Sequence, residues 1–482
     1  MERNNYKAFL NFLKSAKTNF VKQILDIKDP VLLISHYDAD GITSVSLISL
    51  LLKKYNVPFH IKILEQIDEA SISKISKFAY ENIIFTDLGS GEYNILHTYL
   101  KKKNLFIIDH HQPDERDRRD YVLEINPYFH GINGSSETSA STLAYLLVRE
   151  IDSEMIVFSP LAIIGALGDR QDVGFRFTLT GLNELVVDEA EKYGLIRKEI
   201  GLRLAGSKNR PIIKAIEYTF DPYIPGLSGE EEACLMFLKN MGIDPSKDGK
   251  LRYLKDMSKD EIKKLATALV KYMLDMGIPS REAERIFGVN YYVQRESPKS
   301  PLYDAREYAQ ILNSCSRLGR SDIAIALCIG FKGKILDNAL NLAIEYRRLL
   351  AKLLKAAHGK DRKKIFGKTA IVVDLSDLAD NKVTGALASI LSSIWNLETY
   401  VVLVLGKGGN EDKIKVSARL TKRASKAFQE INIGLLLREA SKKTNGVGGG
   451  HLKAGGALIP RHQIDSFIDL FVSLVNTHGF KR

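Results

Sequence analysis

The sequence is poor in cysteine, with only three in 482 residues. Cys234, Cys315 and Cys328 lie far apart and have none of the spacings of a metal finger. We therefore interpret them as buried, reduced thiols and not as zinc ligands or disulfide partners.

Long apolar runs are also missing. No stretch of about 18 or more apolar residues is present, which argues against a membrane-spanning helix. Residues 1–5 open a mixed amphipathic stretch with no apolar signal core, and we find no internal repeat or long low-complexity tract. These absences predict a cytoplasmic protein with no membrane partner.

The composition is that of a globular protein, with 45% apolar and 26% charged residues. A chain of this length is expected to form two or three domains. The formal net charge of +11 suits a polyanionic partner, because neutralising phosphates releases counterions. Charge alone is weak evidence, since many basic proteins bind no nucleic acid.

The first part of the chain alternates apolar strands with helical patterns. Residues 6–27 predict a leading amphipathic helix. Three short apolar runs follow, and each ends in acidic or imidazole residues: 31–35 before His36–Gly41, 82–86 before Asp87–Gly91, and 104–108 before Asp109–His111. This pattern predicts an α/β domain over residues 1–192 with a parallel sheet covered on both faces. In such sheets the ligand site lies beyond the carboxyl ends of the strands.

The remaining chain shows two other sequence patterns. Residues 193–300 predict a mainly helical insertion, beginning with a helical stretch at 195–203, and residues 301–360 predict connecting helices. Residues 361–482 predict a second, smaller α/β domain, with strands near 369–373, 399–405 and 413–417. Its glycine-rich ending spans residues 446–456.

The acidic and imidazole clusters suit a metal centre. On an extended strand end, the two-residue spacing of His36, Asp38 and Asp40 directs all three side chains to one side. Asp87, His110 and Asp169 are expected to converge on them from neighbouring strands. Unit charges 4 Å apart repel by about 4 kcal/mol at an effective dielectric of 20. Two divalent cations would relieve this repulsion and form the usual clamp for phosphate ester hydrolysis.

Each cluster alone has an ordinary structural explanation. Asp-x-Asp-Gly is often a turn, a His-His pair is often a surface or core pair, and Asp169 could simply cap a helix. A glycine run such as Gly448–Gly450 is often a flexible loop, although it also lets backbone amides approach a phosphate. The order of four candidate clusters within one domain favours a metal site.

These motifs together resemble those of the DHH phosphoesterase superfamily. The N-terminal motifs are His36-Tyr-Asp-Ala-Asp-Gly41, Asp87-Leu-Gly89, Asp109-His-His111 and Gly168-Asp169. Val416-Ser-Ala-Arg419 and the Gly448–Ala457 segment resemble the DHH-associated C-terminal domain, which contacts substrate. The resemblance covers about residues 1–190 and 368–465. Residues 218–243 and 305–317 resemble the archaeal RecJ-like group, including nucleases that associate with the replication factor GINS.

The resemblance implies a role for each residue of the motifs. It implies two Mn²⁺ ions, or Mg²⁺ in their place, with His36 and Asp38 at one, Asp40, His110 and Asp169 at the other, and Asp87 bridging them. Asp109 would orient His110, and His111 would contact the scissile phosphate or protonate the leaving oxygen. The substrate-binding residues would be Ser417, Arg419, Gly448, Gly449, Gly450, His451, Gly455 and Gly456.

The function that the resemblance implies is a RecJ-like exonuclease on single-stranded DNA or RNA, acting in replication or repair. The partner it implies is GINS, and the segment Phe220–Leu227 would either dock that partner through Phe220, Tyr223 and Ile224 or pack within the insertion. The alternatives are an oligonucleotide or small-molecule phosphodiesterase, a non-catalytic replisome scaffold and a manganese-dependent pyrophosphatase. The residues indicate neither the direction of cleavage nor a preference for DNA or RNA.

Overall fold

A computed structural model describes residues 2–114, 122–395, 399–409, 412–421, 432–450 and 452–479. Its strands are β1 (Val31–His36), β2 (Phe59–Leu64), β3 (Asn82–Thr86), β4 (Asn104–Ile108), β5 (Val122–Ile125), β6 (Ile196–Leu202), β7 (Ser246–Lys247), β8 (Lys250–Leu251), β9 (Phe287–Val293), β10 (Lys363–Phe366), β11 (Ala370–Asp374), β12 (Val401–Lys407), β13 (Lys413–Leu420), β14 (Val447–Gly450) and β15 (Ala454–Pro460). Its α-helices are α1 (Glu2–Phe20), α2 (Ala39–Lys54), α3 (Glu69–Ile75), α4 (Tyr93–Leu100), α5 (Ala140–Ile151), α6 (Ser159–Gly168), α7 (Leu182–Lys192), α8 (Ile212–Glu217), α9 (Glu231–Asn240), α10 (Lys259–Asp275), α11 (Ser280–Ala283), α12 (Ala305–Arg317), α13 (Ser321–Cys328), α14 (Lys334–Ala357), α15 (Asn381–Ile394), α16 (Ile433–Lys443) and α17 (Ile464–Gly479).

The N-terminal sheet is five-stranded and parallel, in the order β2-β1-β3-β4-β5. One face packs on the large core that includes α1, α2, α5 and α6, and the other packs on α3 and α4. Burial on both faces explains why the strands read as continuous apolar runs. The prediction of a parallel sheet covered on both faces is confirmed, and its carboxyl edge carries the polar motifs.

The chain divides into two compact units, residues 1–210 with 287–344 and residues 211–286 with 345–482. The predicted helical stretch at 195–203 is wrong, because Ile196–Leu202 forms β6, which pairs antiparallel with β9 in the first unit. This pairing, which local periodicity does not reveal, overrides the helical pattern. The predicted insertion at 193–300 therefore includes two strands of the first unit, and the helices α8–α11 between them belong to the second.

The segment Phe220–Leu227 packs mainly inward. Ile224 and Leu227 are buried, and the ring of Phe220 lies 5.9 Å from that of Tyr223. The hydroxyl of Tyr272, on α10, donates to the carbonyl of Pro225 at 2.9 Å. Of the two readings of this segment, packing within the insertion accounts for Ile224, and a docking surface that includes Ile224 is contradicted.

The C-terminal sheet is mixed and six-stranded, in the order β10-β11-β12-β13-β15-β14. Helices α16 and α17 cover one face with a continuous apolar core, and α15 packs on β12 and β13. The glycine-rich ending is not a loop. It forms the antiparallel hairpin of β14 and β15, so the flexible-loop interpretation of Gly448–Gly450 is wrong.

The three cysteines are buried and none forms a disulfide. Among the helices of the described residues, none combines the length and apolarity needed to cross a membrane.

Candidate metal centre

The first motif changes from strand to helix within its own length. His36 ends β1, Asp38 is the N-cap of α2, and Asp40 lies in the first turn of that helix. The Asp38 carboxylate accepts from the Gly41 amide at 3.0 Å, and a Cβ on Gly41 would come within 2.3 Å of the His36 carbonyl. The assumption of an extended backbone through Asp40 was wrong, because the capping of α2 turns the chain immediately after the strand.

Asp87 follows β3 in a left-handed conformation, with φ at 60°. Its amide donates to the carbonyl of Ile108 at 2.9 Å, which holds it against the end of β4. Aspartate tolerates this conformation better than most side chains. Backbone strain at a buried carboxylate is characteristic of functional sites.

His110 is oriented by a carbonyl and not by Asp109. Its Nδ1 lies 2.6 Å from the Gly134 carbonyl, which only accepts, so Nδ1 carries the proton and Nε2 is the ligand atom. A Cβ on Gly134 would meet the His110 carbonyl at 1.9 Å, so this approach requires glycine. The expectation that Asp109 orients His110 is wrong.

The Asp109 carboxylate instead holds His111. It accepts from His111 Nδ1 at 2.7 Å and from the amides of Ser90, His110 and His111. Burial lowers the pKa of His111, but Asp109 and Asp87 together outweigh that effect and the net pKa is raised. His111 therefore has a fixed ring with its Nε2 directed away from Asp109.

Asp169 comes from a helix end. It is the C-terminal cap of α6, so the expectation that it follows a strand is wrong. The run from 160 to 167 carries no polar side chain because the helix is buried on all sides. Gln171 donates to Asp169 Oδ2 at 2.8 Å and to the carbonyl of Gly134 at 2.9 Å. Gln171 thus links the supports of Asp169 and His110.

The structure brings all six predicted ligands together. Asp87 Oδ2 lies 3.5 Å from His36 Nδ1, and Asp87 Oδ1 lies 3.2 Å from His110 Nε2. Potential ligand atoms lie within 4.8 Å of one another in three groups: His36, Asp38 and Asp87; Asp40, His110 and Asp169; and Asp87, His110 and His111. Asp87 therefore faces both of the first two groups, one oxygen toward each.

The electrostatics of this cluster suit a cation. Burial raises the pKa of Asp40, and Asp87 and Asp169 raise it further, to about 7. Burial opposes the ionisation of Asp38, yet His36 beside it holds the pKa of Asp38 well below its usual range. A set of close carboxylates and imidazoles, with one carboxylate destabilised by its neighbours, is the donor set that a divalent cation would ionise and hold. The residues therefore fit the metal that the motifs imply.

Several supporting residues were not identified from the sequence. Asp40 accepts from the amides of Ala140 and Ser141, at 2.7 and 3.0 Å, so the N-terminus of α5 points at this carboxylate. Asn313 Oδ1, on α12, accepts from the amide of Ala39 at 2.9 Å. Ser139, the N-cap of α5, is a residue from which the start of this helix could be predicted. The local sequence does not indicate which carboxylate accepts from the first amides of the helix.

The predicted C-terminal residues belong to the second unit, in which Ser417 and Arg419 share one face of β13. Ser417 is hydrogen-bonded to Thr384, and Arg419 Nε donates to Ser389 Oγ at 2.9 Å, so both meet α15. Arg419 also donates to the carbonyl of Ala418. The guanidinium is thus positioned by the protein, as a preformed phosphate site requires.

The glycines of the hairpin divide between two faces. Gly448 and Gly455 lie against α16, where a Cβ would come within 2.3 Å of Ser441 Oγ and 2.5 Å of Leu437 Cδ1. Gly449 and Gly456 are paired on the opposite face, in line with Ser417. A Cβ on Gly449 would meet nothing closer than the Arg438 guanidinium, at 3.9 Å.

The sequence also predicts that Gly450 and His451 bind substrate. A Cβ on Gly450 would come within 2.4 Å of Gly455 Cα, so Gly450 serves the close approach of the two strands. His451 lies outside the described residues. Arg438 and Lys415, which border the bare glycine face, were not identified from the sequence.

Three family descriptions match this chain in succession. The N-terminal domain of the DHH family matches residues 30–167, the DHH-CID domain matches residues 204–287, and the DHHA1 domain matches residues 367–477. The matches follow the order of the N-terminal sheet, the insertion and the C-terminal sheet.

One curated relative and several solved structures are similar to nearly the whole chain. The chain is 30% identical to the uncharacterized protein MJ0831 of Methanocaldococcus jannaschii over 461 residues, 93% of each chain. Its fold is similar to RecJ of Thermus thermophilus in complex with Mn²⁺, with a TM-score of 0.56 and 15% identity, covering 96% of this chain but 55% of that one. It is also similar to CDC45 of Entamoeba histolytica, with a TM-score of 0.67 and 11% identity, covering 96% of this chain and 99% of that one.

Proposed function

Because this chain belongs to the DHH family and its fold is similar to that of RecJ, we propose that it is a metal-dependent exonuclease acting on single-stranded DNA or RNA in the cytoplasm. Its family is one of phosphoesterases and nucleases. The observation that carries the proposal is the meeting of six candidate ligand side chains in two groups, with Asp87 belonging to the group of His36 and Asp38 and directing its other oxygen at His110 of the second group. A single structural ion would not need two such groups.

Two ions, Mn²⁺ or Mg²⁺, would be held by these groups. His36 and Asp38 would hold one, Asp40, His110 and Asp169 would hold the other, and Asp87 would serve both groups. When bound, the ions supply Lewis acidity, lowering the pKa of water and neutralising charge on the phosphate. Gly134 and the N-terminus of α5 fix the ligand atoms of His110 and Asp40 in place.

His111 is the proton donor in this proposal. Its Nδ1 is committed to Asp109, so the proton that it can transfer is on Nε2. The Asp109 carboxylate, which accepts from Nδ1, stabilises the imidazolium that a departing alkoxide needs. Asp109 acts by keeping this ring in one orientation.

The bare face of the C-terminal sheet is the substrate grip. Arg419 supplies a guanidinium, Ser417 is buried against Thr384 and supports the strand, and Gly449 and Gly456 leave room for a sugar-phosphate backbone to approach the strands. Arg438 and Lys415, at the border of this face, add positive charge. Gly448, Gly450 and Gly455 support the face by allowing close packing behind it, and His451 is proposed for the same grip from its motif alone.

The direct test is digestion of end-labelled single strands of DNA and RNA with Mn²⁺ or Mg²⁺, resolved nucleotide by nucleotide. Stepwise loss of mononucleotides from one end supports the proposal and gives the polarity. Cleavage confined to dinucleotides or small phosphodiesters would support the small-molecule alternative. A duplex of the same sequence is the control, and it should resist digestion.

A non-catalytic replisome scaffold is the second candidate, because the fold matches CDC45 over nearly its full length. The complete ligand set argues against it, and inactivity on every phosphodiester would favour it.

We also propose GINS as a partner of the insertion, through exposed side chains such as Met236 and Met276. Met236→Asp with Met276→Asp should abolish co-purification with GINS and leave digestion unchanged. Retained co-purification would exclude this surface.

A further inference from the structure

The segment that follows Asp169 ends in an exposed aromatic ring. Phe175 is 82% exposed, more than any other large apolar side chain of the described residues. The neighbouring Arg176 is also exposed, and its guanidinium lies 5.3 Å from the centre of the Phe175 ring. Single exposed apolar side chains are common on protein surfaces, but this ring is presented on a strained backbone beside a guanidinium.

The backbone that presents Phe175 is strained. Arg170, Arg176 and Phe177 all have positive φ, at 57°, 51° and 59°. The surroundings enforce this path, since a Cβ on Gly174 would meet Thr178 Oγ1 at 2.5 Å and one on Gly288 would meet the Arg176 carbonyl at 2.5 Å. Such strain costs free energy and persists where the surrounding structure over-determines it.

The segment is anchored on its inner side. The Arg203 guanidinium packs on the ring of Phe177, 4.9 Å from its centre. Arg203 is fully buried and pairs with the buried Asp172, which also accepts from Arg306 Nη1 at 3.0 Å. Residues 169–177 are therefore one fixed stretch, with a proposed metal ligand at one end and an exposed ring at the other.

The surface around the ring indicates the class of its ligand. A protein-docking site is normally a contiguous apolar patch of several hundred Å², whereas Phe175 stands beside Arg176 with only Val173 as an exposed apolar neighbour in the loop. An aromatic face next to a guanidinium is how single-stranded nucleic acids are bound, by base stacking and a phosphate contact. The chain also carries a net charge of +11.

We propose that Phe175 is a stacking platform for one nucleobase of the bound single strand, with Arg176 contacting the adjacent phosphate. This proposal rests on the proposed function, because it assumes a nucleic-acid substrate at the neighbouring metal centre. It adds a binding position in the first unit, separate from the grip on the C-terminal sheet. Its selectivity would be for an unpaired base of any kind, since every base has a stacking face.

The test measures binding of fluorescein-labelled single-stranded oligothymidylate to the full-length chain in EDTA, which prevents hydrolysis. Phe175→Ala should weaken binding between about 5- and 150-fold, the range for loss of one base–aromatic stack. Phe175→Trp should restore it, and Phe175→Leu should not. Phe331→Ala is the matched control, since Phe331 is a second exposed aromatic residue of the first unit, 56% exposed, and it should bind as the wild type does.

A series of oligonucleotides with one abasic site at successive positions identifies the stacked base. Wild type should lose affinity at one position, and Phe175→Ala should be indifferent to an abasic site there. Equal affinities of Phe175→Ala and Phe331→Ala would overturn the stacking proposal while wild-type digestion still supports the nuclease. Full restoration by leucine would also overturn it, in favour of an apolar contact. If wild type neither binds nor digests any strand, the nuclease proposal itself is wrong and this inference falls with it.

Discussion

The two sheets of this protein place their candidate functional residues in opposite ways. In the N-terminal sheet they stand at strand ends and helix termini, where the chain turns and side chains from distant motifs meet at Asp87. In the C-terminal sheet they lie within paired strands, where Gly449 and Gly456 have no side chains and leave the backbone uncovered. The first site depends on the carboxylate and imidazole side chains that meet there, and the second depends on the absence of side chains at its glycines.

This difference determines how each site responds to substitution. A ligand of the N-terminal cluster has a chemical task, so its loss should abolish activity and leave the fold intact. A glycine of the C-terminal hairpin has either a packing task or a surface task, depending on the face on which its Cβ would lie. Substitutions at the two sites can therefore test whether the distinction holds.

The largest effect is expected for Asp87→Asn. Asparagine tolerates the positive φ that alanine would not, so the variant should fold. It removes a charged oxygen from both ligand groups, and losing several kcal/mol of metal stabilisation should lower turnover at least about a thousandfold. Thermal unfolding should show that Mn²⁺ stabilises wild type, by about 2.7 kcal/mol at 100 times its dissociation constant, and that it stabilises the variant much less.

The control for Asp87→Asn is Asp188→Asn, on the exposed side of α7 in the same unit. It should keep both the activity and the response to Mn²⁺. Turnover of folded Asp87→Asn within about tenfold of wild type, only about 1.4 kcal/mol of barrier, would contradict the shared-ligand arrangement.

His111→Gln should cause the next largest loss, about 10²- to 10³-fold in turnover, because glutamine cannot transfer a proton. The loss should shrink on a nitrophenyl phosphodiester, whose leaving group needs no proton. The Mn²⁺ stabilisation should persist, since His111 is not a ligand in the proposed arrangement. If that stabilisation disappears, His111 belongs to the metal group of Asp87 and His110 instead.

The contrast between the two sheets also explains what the sequence could predict. Apolar runs ending in polar residues were sufficient for β1, β3 and β4, and parallel pairing then required their ends to meet. The helix carrying Asp169 and strand β6 depend on tertiary contacts, which periodicity does not report, and the sequence does not show which neighbouring histidine ring Asp109 contacts. The glycine motif was visible, but the division of its residues between packing and surface depends on which face α16 covers.

Gly448→Ala and Gly449→Ala test the distinction between packing and surface glycines at two neighbouring residues, whose Cβ atoms would lie on opposite faces of β14. The first Cβ would press on Ser441 Oγ and on Ala457 Cβ, at 2.3 and 2.9 Å, and should destabilise the protein by about 1–3 kcal/mol. The second has open space and should leave stability almost unchanged, but weaken binding of a single strand several-fold. Chemical denaturation and oligonucleotide binding separate the two effects. Equal losses of stability would mean that both faces are packed and that the grip lies elsewhere.

The smallest effect is expected for the charges that border the glycine face, and it appears as a change in slope. Each phosphate contact on a single strand contributes about 0.7 to the slope of log affinity against log salt, so Arg438→Gln should flatten the slope by about that amount without changing stability. Arg419→Gln should flatten it equally and also lower stability, because Arg419 joins β13 to α15 through Ser389. Lys442→Gln, one turn along α16 from Arg438, is the control, and it should leave the slope unchanged. A slope that responds equally to all three would show only the diffuse field of a basic protein. The contacts with the nucleic-acid backbone would then have to be assigned to another surface.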